Sequence, residues 1–261
     1  MISIMVQSKI FLKILKSAGV IAFWVAVWKL ASMMAGGGLQ LFLPSPEKVL
    51  AKWWMLIGTP EFCKAVGASL LRIFEGFVWG VLAGGILGML SALSGVVYAL
   101  LSPLMKMIRA VPVVSFIILV FVFFEVDRIP VFICFLMVMP LIWQSVYDGV
   151  MGTDVKLLEM SRVYGLGKWK TMWRIRLPQA FATVFTACIN GLGLAWKSGV
   201  AAEVISAPDL SLGYEIVSAK SDLSYDELFA VTLTVVLLSV VFEMLLKTLC
   251  NKWLGAKEEE R

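Results

Sequence analysis

From residue 76 to residue 105 the chain places no Asp, Glu, Lys or Arg. Apolar stretches of 18 or more residues describe helices that cross a bilayer, and this one is longer than a single crossing needs. Further apolar stretches recur along the 261 residues, charged residues make up only 16% of the chain, and the mean hydropathy is +0.90. A water-soluble domain must still cover its outside with polar side chains, and this composition cannot supply them. Backbone in hydrocarbon must satisfy its own hydrogen bonds, so the crossings are helices. The sequence therefore predicts an all-α polytopic membrane protein with no sizeable soluble domain.

Spans are expected at residues 18–34, within 66–93, within 96–124, and at 129–147, 177–202 and 229–246, about six in all. They divide the chain into an N-terminal segment with the first span and an outer loop (1–60), a transmembrane domain (61–250) and a charged tail (251–261). Lys9, Lys13 and Lys16 ahead of an apolar run also suit a secretory signal peptide. The Trp24 to Met34 half, with Lys29 in it, lacks a clean small-x-small cleavage site, so the segment reads as a retained span ending at Gly36–Gly38. With the N-terminus inside, the basic residues concentrate in the inner segments: Lys9 to Lys16, then Lys156 to Arg176, then Lys247 to Arg261. The loop before the last span is rich in Glu203, Asp209, Glu215, Asp222, Asp226 and Glu227 and faces outward. Both termini are then cytoplasmic.

Enzymatic chemistry finds little support. His is absent, which removes the commonest metal ligand and acid/base group. Cys63, Cys134, Cys188 and Cys250 lie far apart and form neither a disulfide framework nor a metal motif. Gly167-Lys168 lacks the preceding glycine and following Ser/Thr of a phosphate loop, so no ATP site is expected here.

The inner loop reads EMSRVYGLGKWKTMWRIRLPQA from Glu159. Arg162, Lys168, Lys170, Arg174 and Arg176 satisfy the positive-inside rule by themselves, but the spacing carries more. Glu159, Gly165, Ile175, Leu177 and Pro178 stand as E-x5-G-x9-I-x-L-P, which resembles the EAA coupling loop of ABC importer permeases, with Met160 and Ser161 where that motif has alanines. Residues 156–164 and 168–175 can form two short helices around a glycine turn. Pro178 can sit in the first turn of span five. LPSPEKV, SLLRIFEGFVWGVLAGGILGMLSALSG, SPLMKMIRAVP and GLAWKSGVAAEV, in that order, resemble permeases of the nitrate, sulfonate and taurine type. Where that subfamily carries a Gly-x-Gly turn, this chain reads FFEVDRIP.

The resemblance implies a type I ABC importer permease fold, with residues 154–178 as the coupling loop and Glu159, Ser161, Gly165, Ile175, Leu177 and Pro178 as its marked positions. It implies cytoplasmic ATPase subunits that hold ATP and Mg, an extracytoplasmic solute-binding protein, and a second permease copy or paralogue. This chain itself would bind no cofactor, metal or nucleic acid. It would sit in the plasma membrane of a prokaryote and pass a small solute. A secondary transporter driven by an ion gradient is the alternative, but it needs a midplane carboxylate or broken helices, and the spans offer little beyond Asp148.

Within the spans, Gly76, Gly80, Gly84 and Gly88 make a small-residue stripe, expected to meet a neighbouring helix or a two-fold partner, with a gating hinge as the other reading. Arg72 and Glu75 stand three apart on one helical face and are expected to pair with each other. Arg109 and Pro112 match the subfamily's Arg-x-x-Pro, and Pro112 should kink its span near an inner gate. Trp196, Lys197 and Glu203 near the outer end of span five are pathway or gate candidates. Trp53, Trp54, Trp143 and Trp196 also suit interfacial anchors better than a ligand cage.

Overall fold

A computed structural model describes residues 19–34 and 42–259. Lys9, Lys13, Lys16, the Gly36–Gly38 stop and Arg261 lie outside the described residues. The described chain is built from helices: α1 (Gly19–Met34), α2 (Pro46–Ile57), α3 (Pro60–Leu93), α4 (Gly95–Ala110), α5 (Val113–Val120), α6 (Ile129–Met151), α7 (Val155–Val163), α8 (Lys168–Thr171), α9 (Leu177–Ser206), α10 (Leu212–Ser221) and α11 (Tyr225–Glu259). Four helical runs are long and apolar enough to cross a membrane, and the bent pair α4–α5 makes up to five. The expected first span appears as α1, an apolar helix shorter than a crossing within the described residues. The last helix runs on through the expected tail as far as Glu259.

The bundle is organised around α6, which has the largest buried share of any spanning helix and lies between α3 and α9. The glycine stripe explains how α3 reaches it. A Cβ built at Gly76 would stand 2.3 Å from the Val131 carbonyl oxygen, at Gly84 2.5 Å from that of Met139, and at Gly88 2.7 Å from that of Trp143. At Gly80 it would meet Val138 Cβ at 2.8 Å. Only hydrogen fits at these separations, so the stripe is a backbone-to-backbone seam with α6 of the same protomer. The opposite face of α6 takes α9, where Gly149 leaves room for Ala180. Between these seams Ile73, Cys134, Val138, Ile142 and Ala195 form one apolar core.

Two expected anchors belong to that interior. Trp143 is 1% exposed and donates Nε1–H to Ser91 Oγ at 2.9 Å, while Trp196 is 3% exposed and donates to the Val235 carbonyl at 3.2 Å. Helices on either side offered their indole N–H groups partners, so burial satisfied both. Trp54, at 76% exposed, remains on the surface, and Trp53 donates to Thr234 Oγ1 across the α2–α11 contact. Lys52 of α2 and Glu227 of α11 pair at 2.9 Å; Lys29 of α1 pairs with Glu47.

The third expected span is not one helix with a kink. Val111 and Pro112 are both extended, at ψ 132° and 137°, and α4 and α5 meet at 100°. Proline pushes the residue before it out of helical geometry, and here the chain turns a corner there. α4 is held to α6 by a stack in which Tyr98 lies 5.7 Å from Trp143 and 4.2 Å from Tyr147.

The seam makes a paired prediction. Gly85 lies beside the stripe with nothing within 4 Å of a built Cβ. Gly84→Ala is expected to lower the thermal midpoint of the purified chain by about 4–8 °C, corresponding to about 2 kcal/mol of overpacking. Gly85→Ala, which gains helix propensity without a clash, leaves the midpoint unchanged or slightly raised. Fluorescence-monitored melting in detergent checks both.

Candidate functional site

The features that bear on function occupy the two ends of the bundle and one face of α9. At the first end, α7 and α8 form an elbow between α6 and α9. Asp154 caps α7, its carboxylate accepting Lys156 N–H at 2.9 Å, and its own N–H reaches Gln179 Oε1 at 3.3 Å. At the other end of α7, Leu166 N–H donates to the Ser161 carbonyl at 2.9 Å and Gly165 N–H to that of Arg162 at 3.0 Å. That pair of bonds is the Schellman stop. It needs a left-handed residue at Gly165, whose φ is +64°, a region glycine enters without strain.

The elbow's surface is uneven. Ser161 is 3% exposed and donates to the Leu158 carbonyl. Glu159 is exposed, together with Val163 at 84% and Tyr164 at 75%. Ile175 and Leu177 are partly buried, and Pro178 is exposed. The second short helix does not end before span five as expected: Lys168–Ser206 is one helical run. Pro178 is accommodated by the π turn Met172–Arg176, in which Leu177 N–H bonds the Met172 carbonyl. The widened turn eases the clash a proline ring makes with the preceding turn.

At the second end lies a polar cluster. Arg72 does not pair with Glu75. Its guanidinium donates to Asp127 Oδ1 at 2.8 Å and to the carbonyls of Asp209 and Leu210 at 3.0 and 3.1 Å, while Glu75 pairs with Arg128 at 3.0 Å. The Glu-Val-Asp-Arg stretch that replaces a glycine turn is thus clasped to α3 by two ion pairs. Asp127 and Arg128 offered closer geometry than the i,i+3 pair could.

Glu203 completes the cluster from α9. Its side chain is fully buried; Oε2 accepts from Ser69 Oγ at 2.7 Å and Gly213 N–H at 3.4 Å, and Oε1 lies 3.8 Å from Arg72 Nη1. It stands inside the protomer between α3, α9 and α10, away from any exposed face. Ala207 and Leu210 are left-handed without being glycine, at φ 46° and 51°. Arg72 holds the Leu210 carbonyl and Ser69 Oγ the Leu212 N–H, which keeps this strained loop closed. Beyond it on α10, burial and the nearby Glu227 hold the Glu215 carboxyl above the usual carboxylate range.

Of the α9 face turned away from α6, reading charges alone picked out Lys197 and missed the rest. Thr186, Asn190, Gly193, Lys197 and Ala201 are exposed at helical spacing along a membrane-length helix. Lys197 forms no ion pair among the described residues. A small and polar stripe with an unpaired cation suits water better than lipid. Its period in the sequence was the available signal. Arg109 lies elsewhere, at the end of α4, donating to the Pro140 carbonyl at 3.0 Å. Trp196 faces α11, and Asp148 accepts from Gln144 at 2.8 Å.

These features can be set beside known proteins. Residues 80–253 match the model of the family described as binding-protein-dependent transport system inner membrane component. The chain is 32% identical over 231 residues to the putative aliphatic sulfonates transport permease protein SsuC of Escherichia coli K12, covering 88% of this chain and 87% of that one. It is 27% identical over 239 residues to the taurine transport system permease protein TauC of the same organism, covering 89% and 86%. A crystal structure of an amino acid ABC transporter with histidines superposes with a TM-score of 0.67 at 18% identity, over 76% of this chain and 97% of that one. That likeness identifies the fold as the one ABC transporter permeases share. On the family match and the breadth of the sequence identity, this chain belongs to the binding-protein-dependent transport system inner membrane components, the permeases of ABC transporters.

Proposed function

We propose that the chain is the pathway-forming subunit of an ATP-driven importer for a small solute such as a sulfonate, taurine, nitrate or a related compound. It pairs with a second copy or a paralogue. Two cytoplasmic ATPase subunits hold the ATP and Mg, and an extracytoplasmic binding protein delivers the solute. Both termini and the elbow face the cytoplasm, and α10 faces outward. The observation that carries this reading is the elbow: a short helix ended by a Schellman stop at Gly165, presenting Glu159, Val163 and Tyr164 to a partner. Exposed apolar side chains outside the spans mark protein contacts. A carboxylate such as Glu159 in a partly desolvated contact recognises a cation on the partner.

Transport then proceeds by alternating access. Closure of the ATPase dimer draws two elbows together, and the continuous helix from Lys168 to Ser206 carries that motion to the pathway. The polar stripe of α9, which faces out of the protomer, lines the pathway once a second subunit encloses it.

Gly165→Val forces a β-branched residue into the left-handed region with no clash to relieve, since nothing lies within 4 Å of a built Cβ there. The variant is expected to insert normally yet either to lose the ATPase subunit on purification or to hydrolyse ATP without transport. Glu159→Ala should weaken docking by about 1 kcal/mol or more, about fivefold in affinity. Wild-type transport and wild-type ATPase retention in both variants would contradict the docking role.

Orientation is tested separately. In a background without other cysteines, Ser221→Cys on intact cells is expected to react with a membrane-impermeant maleimide, and Lys168→Cys only after permeabilisation. The reverse pattern would invert the topology.

A further inference from the structure

We propose that the cleft behind the elbow binds the phosphate-bearing headgroup of an anionic phospholipid. The cleft is a cavity of about 370 Å³ between the end of α3, α7 and α8; Arg162 lines it from α7, and Lys168 and Arg176 line it from the helical run that follows the Gly165 turn. No Asp or Glu shares the lining. Where a carboxylate lies within reach, as at Lys29, Lys52, Arg72 and Arg128, the cation pairs with it. The three cations of the cleft form no ion pair among the described residues. Three like charges converging on one hollow repel one another, and a phosphate there would turn that repulsion into charge-assisted hydrogen bonds.

The rim of the cleft distinguishes a lipid from a free anion. Leu93 lines it at the last residue of α3, and one turn up the span Leu90 is exposed as well. Trp169 lines the other side, exposed, with Trp173 edge-to-face at 6.3 Å. Exposed tryptophans at a helix end mark the headgroup level of a bilayer. A headgroup in the cleft therefore leaves its acyl chains along the Leu90–Leu93 edge, and basic pockets at this depth select anionic lipids. Ser161 and Arg162 precede the Gly165 turn and Lys168 follows it, so the bound headgroup bridges both arms of the elbow. Which leaflet supplies it rests on the cytoplasmic placement of the elbow proposed above.

The test uses the full-length chain with its ATPase partners in detergent micelles, given phosphatidylglycerol or phosphatidylcholine and read by native mass spectrometry. Arg162→Gln with Arg176→Gln is compared with Lys170→Gln with Arg174→Gln, which removes the same charge from the same segment outside the cleft. Retained phosphatidylglycerol is expected to fall about 25-fold in the first pair, about fivefold for each cation, and less than about twofold in the second. Arg162→Lys with Arg176→Lys, which keeps the charge, should restore most of the retention and guards against a folding defect. Equal loss in both Gln pairs, or loss in neither, overturns the proposal. Displacement of the lipid by excess inorganic phosphate alone assigns the cleft to a free anion and overturns the lipid. Unchanged lipid retention with loss of the ATPase subunit assigns it to a protein surface and does the same. Retention in micelles does not depend on which way the elbow faces, so its failure is distinct from that of the cysteine-labelling test.

Discussion

The structure depends on the approach of α3 to α6. In hydrocarbon, helices gain nothing by hiding apolar surface from one another, since lipid tails are equally apolar. Close contact must come from shape, and four glycines four residues apart let two backbones meet where any side chain would intrude. With α6 seated against α3, its other side is left for α9, and Gly149 against Ala180 fixes where α9 passes the end of α6. The elbow is strung between these two fixed points.

At the other end, charge takes over from shape. Arg72 serves Asp127, two carbonyls of the loop after α9 and the neighbourhood of Glu203. One guanidinium thereby fastens the first half of α3 to the turn before α6 and to the loop between α9 and α10. Ser69 adds a hydroxyl that donates to Glu203 and accepts from Leu212. Glu203 Oε2 is satisfied in this way, while Oε1 is buried without a hydrogen bond and has only the Arg72 guanidinium, 3.8 Å away, to offset its loss of water. The cluster also shows why local spacing misled: Arg72 and Glu75 share a helical face, but residues distant in sequence supplied better partners for each.

Much of the fold and part of the site were legible in the sequence because their causes are local. Uncharged runs define spans, a period of four defines the glycine seam, and Gly165 between two amphipathic segments defines a turn. What stayed hidden depends on tertiary partners. Trp143 and Trp196 read as surface anchors because nothing nearby in sequence reveals that Ser91 and the Val235 carbonyl await their N–H groups. Pro112 reads as a kink because its effect on Val111 does not fix an angle, which the packing of α4 and α5 on α6 sets at 100°. Pro178 reads as a helix start because a π turn leaves no signature in composition. The α9 stripe was written in period, but charge singled out only Lys197 from it and set beside it Glu203, which is buried in the protomer while Lys197 is exposed.

The unbroken passage from α8 into α9 has a mechanical meaning. At 1.5 Å per residue, the 39 residues of Lys168–Ser206 make a strut about 58 Å long. Its lower end leaves the Gly165 turn and its upper end carries Glu203 into the Arg72 cluster. A strut resists shortening, so a thrust at the foot reaches the head as translation or twist. The loosest joint along it is the π turn at Met172–Arg176, the one helical stretch where bonding follows a wider register. Pro178 therefore does more than interrupt a ladder: by calling for that wider register beside itself, it sets the place at which the strut can yield.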